Sequence, residues 1–270
     1  MVVQHNLSAI NTNRQMGVVT NALQKSTEKL SSGYKINRAA DDAAGLSISE
    51  KMRSQIRGLN KASDNAQDGI SLIQVAEGAL NETHSILQRM NELATQAAND
   101  TNTSVDRQSI KDEIKQLNEE LDRISSTTQF NKQDLLTGGF SGKLQVGALE
   151  GQTMDVKISL AVSAEGLNVS AVEVSTNAKA GAAMQSIQDA IESVSKQRSK
   201  LGAIQNRLEH TINNLDTNAE NTQAAESRIR DTDMADEMVQ YSKNNILSQA
   251  GQSMLTQANQ QTQGVLSLLQ

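Results

Sequence analysis

Length, composition and charge already exclude several classes of protein. The chain has 270 residues, no proline, cysteine or tryptophan, two tyrosines and two phenylalanines, and a net charge of -6. A disulfide framework, a thiolate metal site and a cysteine nucleophile are therefore excluded, and a thick globular core is disfavoured because aromatic residues carry much of such burial. The negative charge disfavours nucleic acid or an anionic membrane as the main partner.

The two ends of the chain are unusually poor in charge. Residues 1–24 carry a full charge only at Arg14, and the 27 residues from Asn244 to Gln270 carry none. The N-terminal stretch shows no Sec-type signal, and no apolar run approaches the roughly 18 residues needed to span a bilayer. We expect both ends to be buried against protein. The alternative is a polar tail that is disordered in the isolated monomer.

The first segment predicts an amphipathic helix that ends near Gly33, because glycine is preferred just past a helix end. Steps of three, four and seven residues separate its apolar positions. These positions are Leu7, Ile10, Met16, Val19, Leu23 and Leu30. A connector rich in small and charged residues, NRAADDAAG, follows.

The next segment carries a heptad row of the coiled-coil kind. Every seventh residue from Met52 is apolar, namely Met52, Leu59, Ala66, Ile73, Leu80, Leu87 and Ala94. A helix from about Leu46 to Asn99 would be roughly 81 Å long at 1.5 Å per residue. A compact chain of this length has a diameter of only about 48 Å. The sequence therefore predicts a rod.

A shorter helix is predicted from about Ser104 to Ser126, with Ser104 as its N-cap residue. After Phe130 glycines become frequent, and the apolar residues from Met154 to Val162 alternate strictly, which is typical of a strand. Residues Leu144 and Val146 would begin the partner strand. We expect a small β-hairpin region between about residues 130 and 175.

Helical spacing returns in a second long helix of about 45 residues. Its row is Ile187, Val194, Leu201, Leu208, Leu215 and Ile229, broken at Thr222. The last helix is the uncharged one, with Leu247, Ala250, Met254, Ala258, Val265 and Leu268 as its stripe. Two long helices joined by a compact insert should pack antiparallel, with the chain termini at one end.

The predicted fold class is mainly α, an elongated antiparallel helical rod or coiled coil with a small β-hairpin region in the middle of the chain. Five segments follow from this plan. They are a terminal helix with its connector at 1–44, rod helices at 45–135, the β-hairpin region at 136–178, a rod helix at 179–230 and a terminal helix at 231–270.

No pattern predicts an enzyme, a metal site or a cofactor site. The three histidines, His5, His84 and His210, are far apart in the sequence. A glycine-rich phosphate loop, an H-E-x-x-H motif and a G-x-S-x-G motif are missing. The acidic run IRDTDMADEM lacks the glycine and the terminal glutamate of a calcium-binding loop. A solvated charge cluster is the simpler interpretation.

Three long stretches resemble a known family. Two of them resemble the N-terminal core of bacterial flagellin, namely LSSGYKINRAADDAAGLSISEKMRSQIRGLNKASDNAQDGISLIQVAEGAL and LQRMNELATQAANDTNT. The run MVQYSKNNILSQAGQSMLTQANQQTQGVLSLLQ resembles its C-terminal segment. The likeness covers about residues 1–135 and 180–270. The remaining 45 or so residues leave no room for a large variable outer domain, and the final Gln270 replaces an arginine common in relatives.

The resemblance implies a secreted structural subunit that is exported unfolded through the flagellar type III channel. It implies self-assembly into the extracellular filament used for swimming, with the two terminal helices paired in its inner tube. The implied partners are further copies of the chain, the flagellar export chaperone, and cap and junction proteins. Neither nucleic acid nor a membrane is expected as a partner.

The resemblance also implies two recognition sites. The positions that match the surface recognised by host Toll-like receptor 5 are Gln88, Arg89, Leu93, Gln96 and Glu113. At 100° per residue, Arg89, Leu93 and Gln96 lie away from the heptad row that contains Leu87. Leu93 is accordingly predicted to be an apolar residue on a polar face, unless it packs against the helix at 104–126 or a neighbouring subunit.

The second site is the C-terminal segment that drives assembly. The family's export chaperone and cytosolic inflammasome sensors recognise its last leucines. The candidate residues are Leu247, Met254, Leu255, Val265, Leu266, Leu268 and Leu269. Burial in a coiled coil is the alternative that needs no receptor.

Two other functions remain open at this point. A hook–filament junction protein is similar in both arms and belongs to the same class of helical rods. A secreted receptor ligand that assembles only incidentally belongs to a different class. Electron microscopy of the purified chain after seeding would distinguish a filament subunit from both alternatives, because only a filament subunit should grow long helical filaments.

Overall fold

The computed structural model describes residues 6–267, with side chains described as far as residue 261. Within that range the chain forms five helices and two small antiparallel hairpins, so the predicted mainly α fold with a small β region is confirmed. The elements are α1 (Leu7–Ser32), α2 (Ala43–Ala97), α3 (Ser104–Thr127), β1 (Gln129–Phe130), β2 (Gln133–Asp134), β3 (Phe140–Gln145), β4 (Thr153–Ile158), α4 (Asn177–Arg230) and α5 (Met234–Ser267).

The contacts divide the chain into two units. The central unit comprises residues Arg57–Ala219, and the terminal unit comprises the residues up to Ile56 together with those from Glu220 onwards. Helices α2 and α4 contribute to both units. The core of the central unit is made of α2, α3, α4 and the β region, whereas α1 and α5 belong to the terminal unit.

Local sequence signals set the helix ends. Gly33 caps α1 with a φ of 75°, and its N–H donates to the Lys29 carbonyl oxygen at 2.8 Å. A side chain at this left-handed conformation would be strained, which explains why glycine ends the helix. The N-cap of α3 is Thr103, so the prediction of Ser104 was wrong by one residue. Thr103 and Asp106 bond to each other's backbone N–H in a capping box.

The central part of α2 buries two heptad rows rather than one. The predicted row is fully buried from Ala66 to Ala94. A second row, offset by three residues, is buried as well. It consists of Ala62, Gly69, Ala76, Thr83, Met90 and Ala97. Its first members are small, so the sequence showed no apolar stripe there, but small side chains let neighbouring elements approach closely.

Helix α4 packs antiparallel to α2 within the central unit. Arg198 forms an ion pair with Glu77 at 3.6 Å, and the Ser63 hydroxyl donates to Asp216 at 3.0 Å. Its buried positions advance in steps of three and four, as a coiled coil requires. They are Ala180, Ala183, Ile187, Ala190, Val194, Gln197 and Leu201, followed by Leu208, Leu215 and Ala219.

The predicted β-hairpin is present, with Leu144 paired to Met154. Strand β4 ends at Ile158 although the alternation continues to Val162, because the backbone changes partner. The Val162 N–H donates to the Leu136 carbonyl oxygen at 2.9 Å. The hairpin lies on α2 at a glycine. A Cβ at Gly58 would stand 2.8 Å from the Ala148 Cβ, so only glycine allows this approach.

Candidate assembly face and receptor surface

Helices α1 and α5 form an antiparallel pair in the terminal unit. The Asn6 side chain donates to the Ala258 carbonyl oxygen at 3.0 Å, and Lys29 forms an ion pair with Glu237 at 3.4 Å. Between these contacts, a Cβ at Gly251 would lie 3.8 Å from Cγ of Met16. The pairing of the two terminal helices, which the resemblance implied, is confirmed within this chain.

Paired connectors hold the other ends of the two helices. The Lys35 N–H donates to the Arg230 carbonyl oxygen at 2.7 Å, and the Thr232 N–H donates to the Gly33 carbonyl oxygen at 3.0 Å. The Arg230 guanidinium stacks on the Tyr34 ring, 4.6 Å from its centroid, and bonds to Glu50 at 3.1 Å. These contacts fix where α1 ends and α5 begins.

The apolar residues of α1 belong to two different faces. The inner face follows a three-four pattern towards α5 and is at least half-buried. It contains Met16, Val19, Leu23, Ser26 and Leu30. The outer stripe of α1 consists of Leu7, Ile10 and Val18, whose exposed fractions are 72%, 60% and 60%. These three residues lie within about 80° of each other at 100° per residue.

Helix α5 also has two faces, although its sequence pattern predicted a single apolar stripe. Its α1-facing residues alternate in steps of four and three and are mostly polar or small. They are Glu237, Tyr241, Asn244, Ser248, Gly251, Leu255 and Ala258. Its other apolar residues point away from α1. This outer stripe of α5 is about 100° wide, and its members, Val239, Ile246, Leu247 and Met254, are 44% to 69% exposed.

The predicted assembly residues are therefore distributed over both faces. Leu247 and Met254 lie in the outer stripe, whereas Leu255 is half-buried on the α1-facing side. Val265 and Leu266 lie within α5 but their side chains are outside the described part of the chain, as are Leu268 and Leu269 altogether. Sequence analysis missed Val239 and Ile246, although their seven-residue spacing was a usable signal.

The predicted receptor surface lies on α2 and α3 in the central unit. Both Nε and Nη2 of Arg89 donate to the same Glu113 oxygen, at 3.0 and 2.9 Å, and Nη1 donates to Glu92 at 3.1 Å. These bonds raise the pKa of Arg89 above its ordinary value, with Glu113 as the main cause. Gln88 pairs with the His84 Nε2 at 3.0 Å, and Gln96 is exposed.

Leu93 is not exposed on a polar face; of the placements left open by the sequence, packing against the helix at 104–126 is the one that the structure supports. Its side chain is 2% exposed and lies in the same apolar cluster as Ile110 and Ile114 of α3. The helical wheel placed Leu93 only relative to the heptad row that contains Leu87. Because α3 covers a second side of α2, the residue next to Ala94 becomes part of the core.

No side-chain cluster in the described range suggests catalysis or metal binding. Among these residues no group of three or more His, Cys, Asp or Glu side chains could hold a metal ion. The same residues include no helix long and apolar enough to cross a membrane. What the described surface does offer is apolar side chains left uncovered on two paired helices.

Long heptad helices and uncovered apolar stripes on paired terminal helices define a structural, self-associating subunit. Models of the bacterial flagellin N-terminal and C-terminal helical regions match residues 3–141 and 184–269. A flagellin of Halalkalibacterium halodurans is 56% identical over all of both chains. One of Bacillus subtilis (strain 168) is 51% identical, again over all of both. The chain belongs to the bacterial flagellin family.

A solved structure agrees with this assignment. The crystal structure of Bacillus cereus flagellin superposes with a TM-score of 0.51 and 33% identity, over 60% of this chain and 94% of that one. The chain is therefore a subunit of the extracellular flagellar filament and not an enzyme. Its short middle region leaves out the large variable domain.

Proposed function

We propose that the subunit joins the filament through the outer stripes of α1 and α5. One observation carries this proposal: each helix uses one face for its partner and holds a second apolar face outward. Exposed apolar stripes on paired helices are typical of a surface that a further helix covers. The occupant we propose is a second copy of this chain.

Charge supports a copy of the same chain as the occupant. From Asn244 onwards the segment has no Asp, Glu, Lys or Arg, so equivalent segments can pack side by side without like-charge repulsion. From Ile246 onwards the outer stripe of α5 carries no charge, which avoids the cost of burying unpaired charges in a lattice contact. Lys243, between Val239 and Ile246, is a charged residue on the same face. The α1-facing side of α5 cannot form the contact between subunits, since α1 already covers it.

A pair of charge substitutions on α5 tests the proposal. Ile246→Asp places an unpaired carboxylate in the outer stripe and should abolish seeded elongation. Gln252→Asp is the matched control, because Gln252 is exposed and lies at least about 120° from every stripe residue. The control should elongate within twofold of the unchanged chain.

The readout is the elongation rate on flagellar seeds, with circular dichroism to verify that both variants remain helical. Normal growth by folded Ile246→Asp would refute the proposed face. Deletion of Asn244–Gln270 is the coarser test. It should stop growth while leaving the central unit helical.

We also propose that Gln88, Arg89, Gln96 and Glu113 form a surface for Toll-like receptor 5 on the free subunit. All four side chains are exposed. Arg89 is held in place by Glu113 and Glu92. A side chain that is already ordered loses little conformational entropy on binding, which favours its use as an anchor. Leu93 would support this surface from inside the core.

The remaining partners are proposals that concern the C-terminal segment and the filament ends. The export chaperone and the cytosolic inflammasome sensors would recognise the uncharged segment before assembly. Its exposed Leu247 and Met254 support this, since both side chains are accessible in the single chain. Cap and junction proteins would cover the same outer stripes at the ends of the filament.

A further inference from the structure

Methionine exposure differs between the two units. In the central unit, Met90 is 0% and Met154 is 8% exposed. Three methionines of the described chain are largely exposed, and all three lie on α5. They are Met234, Met238 and Met254, at 48%, 49% and 58%. Oxidation of methionine depends on access to its sulfur, so α5 concentrates the reactive thioethers.

Only one of these three sulfurs lies on the proposed assembly face. Met254 is a member of the outer stripe of α5, seven residues after Leu247. Met234 and Met238 lie about 160° from Met254 around the helix axis, on either side. The three side chains therefore have similar exposure but different positions relative to the stripe. This allows the effect of position to be separated from the effect of reactivity.

We propose that Met254 is an oxidative modification site that controls whether a free subunit can enter the filament; this rests on the assembly face proposed above. The oxidant class is a hydroperoxide. The Met254 thioether sulfur attacks one peroxide oxygen, an S–O bond forms and the O–O bond breaks. The sulfur is oxidised by two electrons to the sulfoxide. The second peroxide oxygen is reduced, takes up the proton from the attacked hydroxyl oxygen, and leaves as water or an alcohol.

The sulfoxide changes the one property that the stripe requires. It replaces a flexible apolar side chain by a polar one. In the free subunit its oxygen is hydrated at little cost, because Met254 is exposed. Within a subunit contact the same oxygen would be buried against Leu247 and its equivalents without a donor, which opposes assembly. In an assembled filament the contact itself would shield Met254 from the oxidant.

The test is controlled oxidation of the full-length monomer by hydrogen peroxide, followed by seeded elongation. Peptide mass mapping should show Met234, Met238 and Met254 oxidised before Met90 and Met154. The oxidised chain should elongate at least tenfold more slowly. Met254→Leu keeps an apolar side chain of similar volume. Its elongation rate after peroxide treatment should stay within twofold of its own rate before treatment.

The matched control is Met238→Leu, which should remain as sensitive to peroxide as the unchanged chain. Methionine sulfoxide reductase should restore elongation of the oxidised chain. Normal elongation by a chain fully oxidised at Met254 would overturn the inference, as would protection by Met238→Leu in place of Met254→Leu.

The two proposals fail in distinguishable ways. If Ile246→Asp elongates normally, the assembly face itself is wrong. If Ile246→Asp blocks growth while the Met254 sulfoxide does not, the face stands and only the modification site is refuted.

Discussion

The central and terminal units share the same helical pattern but differ in how much of their apolar surface is buried within the chain. In the central unit α2 buries two heptad rows and the adjacent Leu93 against α3, α4 and the β region. In the terminal unit, the apolar side chains that are buried within the described range are Ile36 and Ala258. The central unit therefore completes its own core, whereas the terminal unit leaves apolar surface for another molecule.

The contrast shows that an apolar heptad row does not indicate whether its packing partner lies in the same chain or in a neighbouring subunit. Leu87 and Leu247 are both leucines in heptad rows of long helices, yet their exposed fractions are 0% and 44%. The first is enclosed within the chain. The second is available to a neighbour, so its contribution should become measurable only in the assembled state. Mutations at matched positions can test this difference directly.

The largest expected effect comes from truncating those two leucines in the isolated monomer. Leu87→Ala should lower the free energy of unfolding by about 2–5 kcal/mol, because it leaves a cavity in a closed core. Leu247→Ala should change it by less than about 0.5 kcal/mol but slow filament elongation. Chemical denaturation and seeded growth measure the two quantities. Equal destabilisation by both variants would contradict the comparison.

A second prediction separates the receptor surface from the core beneath it. Leu93→Ala should lower the free energy of unfolding by about 2 kcal/mol or more, as for other buried leucines. Arg89→Ala should leave the melting temperature nearly unchanged, since an exposed ion pair contributes little. It should weaken binding to Toll-like receptor 5 at least tenfold.

A companion variant within the same proposed surface is Glu113→Gln, which loosens Arg89 without removing it. Surface plasmon resonance and thermal melting provide the two readouts. If Arg89→Ala lowers stability and binding together, Arg89 serves the fold and the receptor proposal loses its support. If Arg89→Ala changes neither, the surface does not bind the receptor.

The smallest effect concerns the start of α3 in the central unit. Thr103→Ala removes the side-chain cap and should cost about 1 kcal/mol, a typical value for an N-cap. Ser104→Ala is the control and should have little effect. A result in the reverse order would mean that the cap lies at Ser104, as the sequence suggested. Urea denaturation at neutral pH measures both.

The same capping box predicts a pH dependence. Hydrogen bonds from the Thr103 side chain, and then from its backbone, lower the pKa of Asp106 below its ordinary value of 3.8. A lowered pKa in the folded state means that this stabilisation is fully present well above pH 3.8 and is lost as the pH falls through the folded pKa. Asp106→Asn should remove that part of the acid sensitivity.

Several features of the fold could be predicted from local sequence signals. The steps of seven residues predicted α2 from Leu46 to Asn99, and it spans Ala43–Ala97. Gly33 marked the end of α1, and alternation marked the β-hairpin. These features depend on a few neighbouring residues, on backbone conformation and on hydrogen bonds within one element. They leave a pattern that a single chain displays.

The candidate site was only partly predictable. The sequence predicted the uncharged C-terminal segment and the exposure of Arg89, but it did not predict which residues form each face of α5. The α1-facing row of α5 contains Asn244, Ser248 and Gly251, which carry no apolar signal. Leu247 and Met254 carried that signal and were assigned to the same face as Ala258, which is buried. Small and polar residues can line a close helix contact without forming a visible stripe.

The sequence by itself determined that this protein is a long-helical chain with charge-poor, apolar-striped ends. It did so because helix periodicity and charge are properties of residues near each other in the chain. Only the tertiary structure decided which of those apolar residues the monomer covers. Burial depends on which other element lies against each face, as α3 does beside Leu93 and as α1 does beside Ser248 but not beside Ile246.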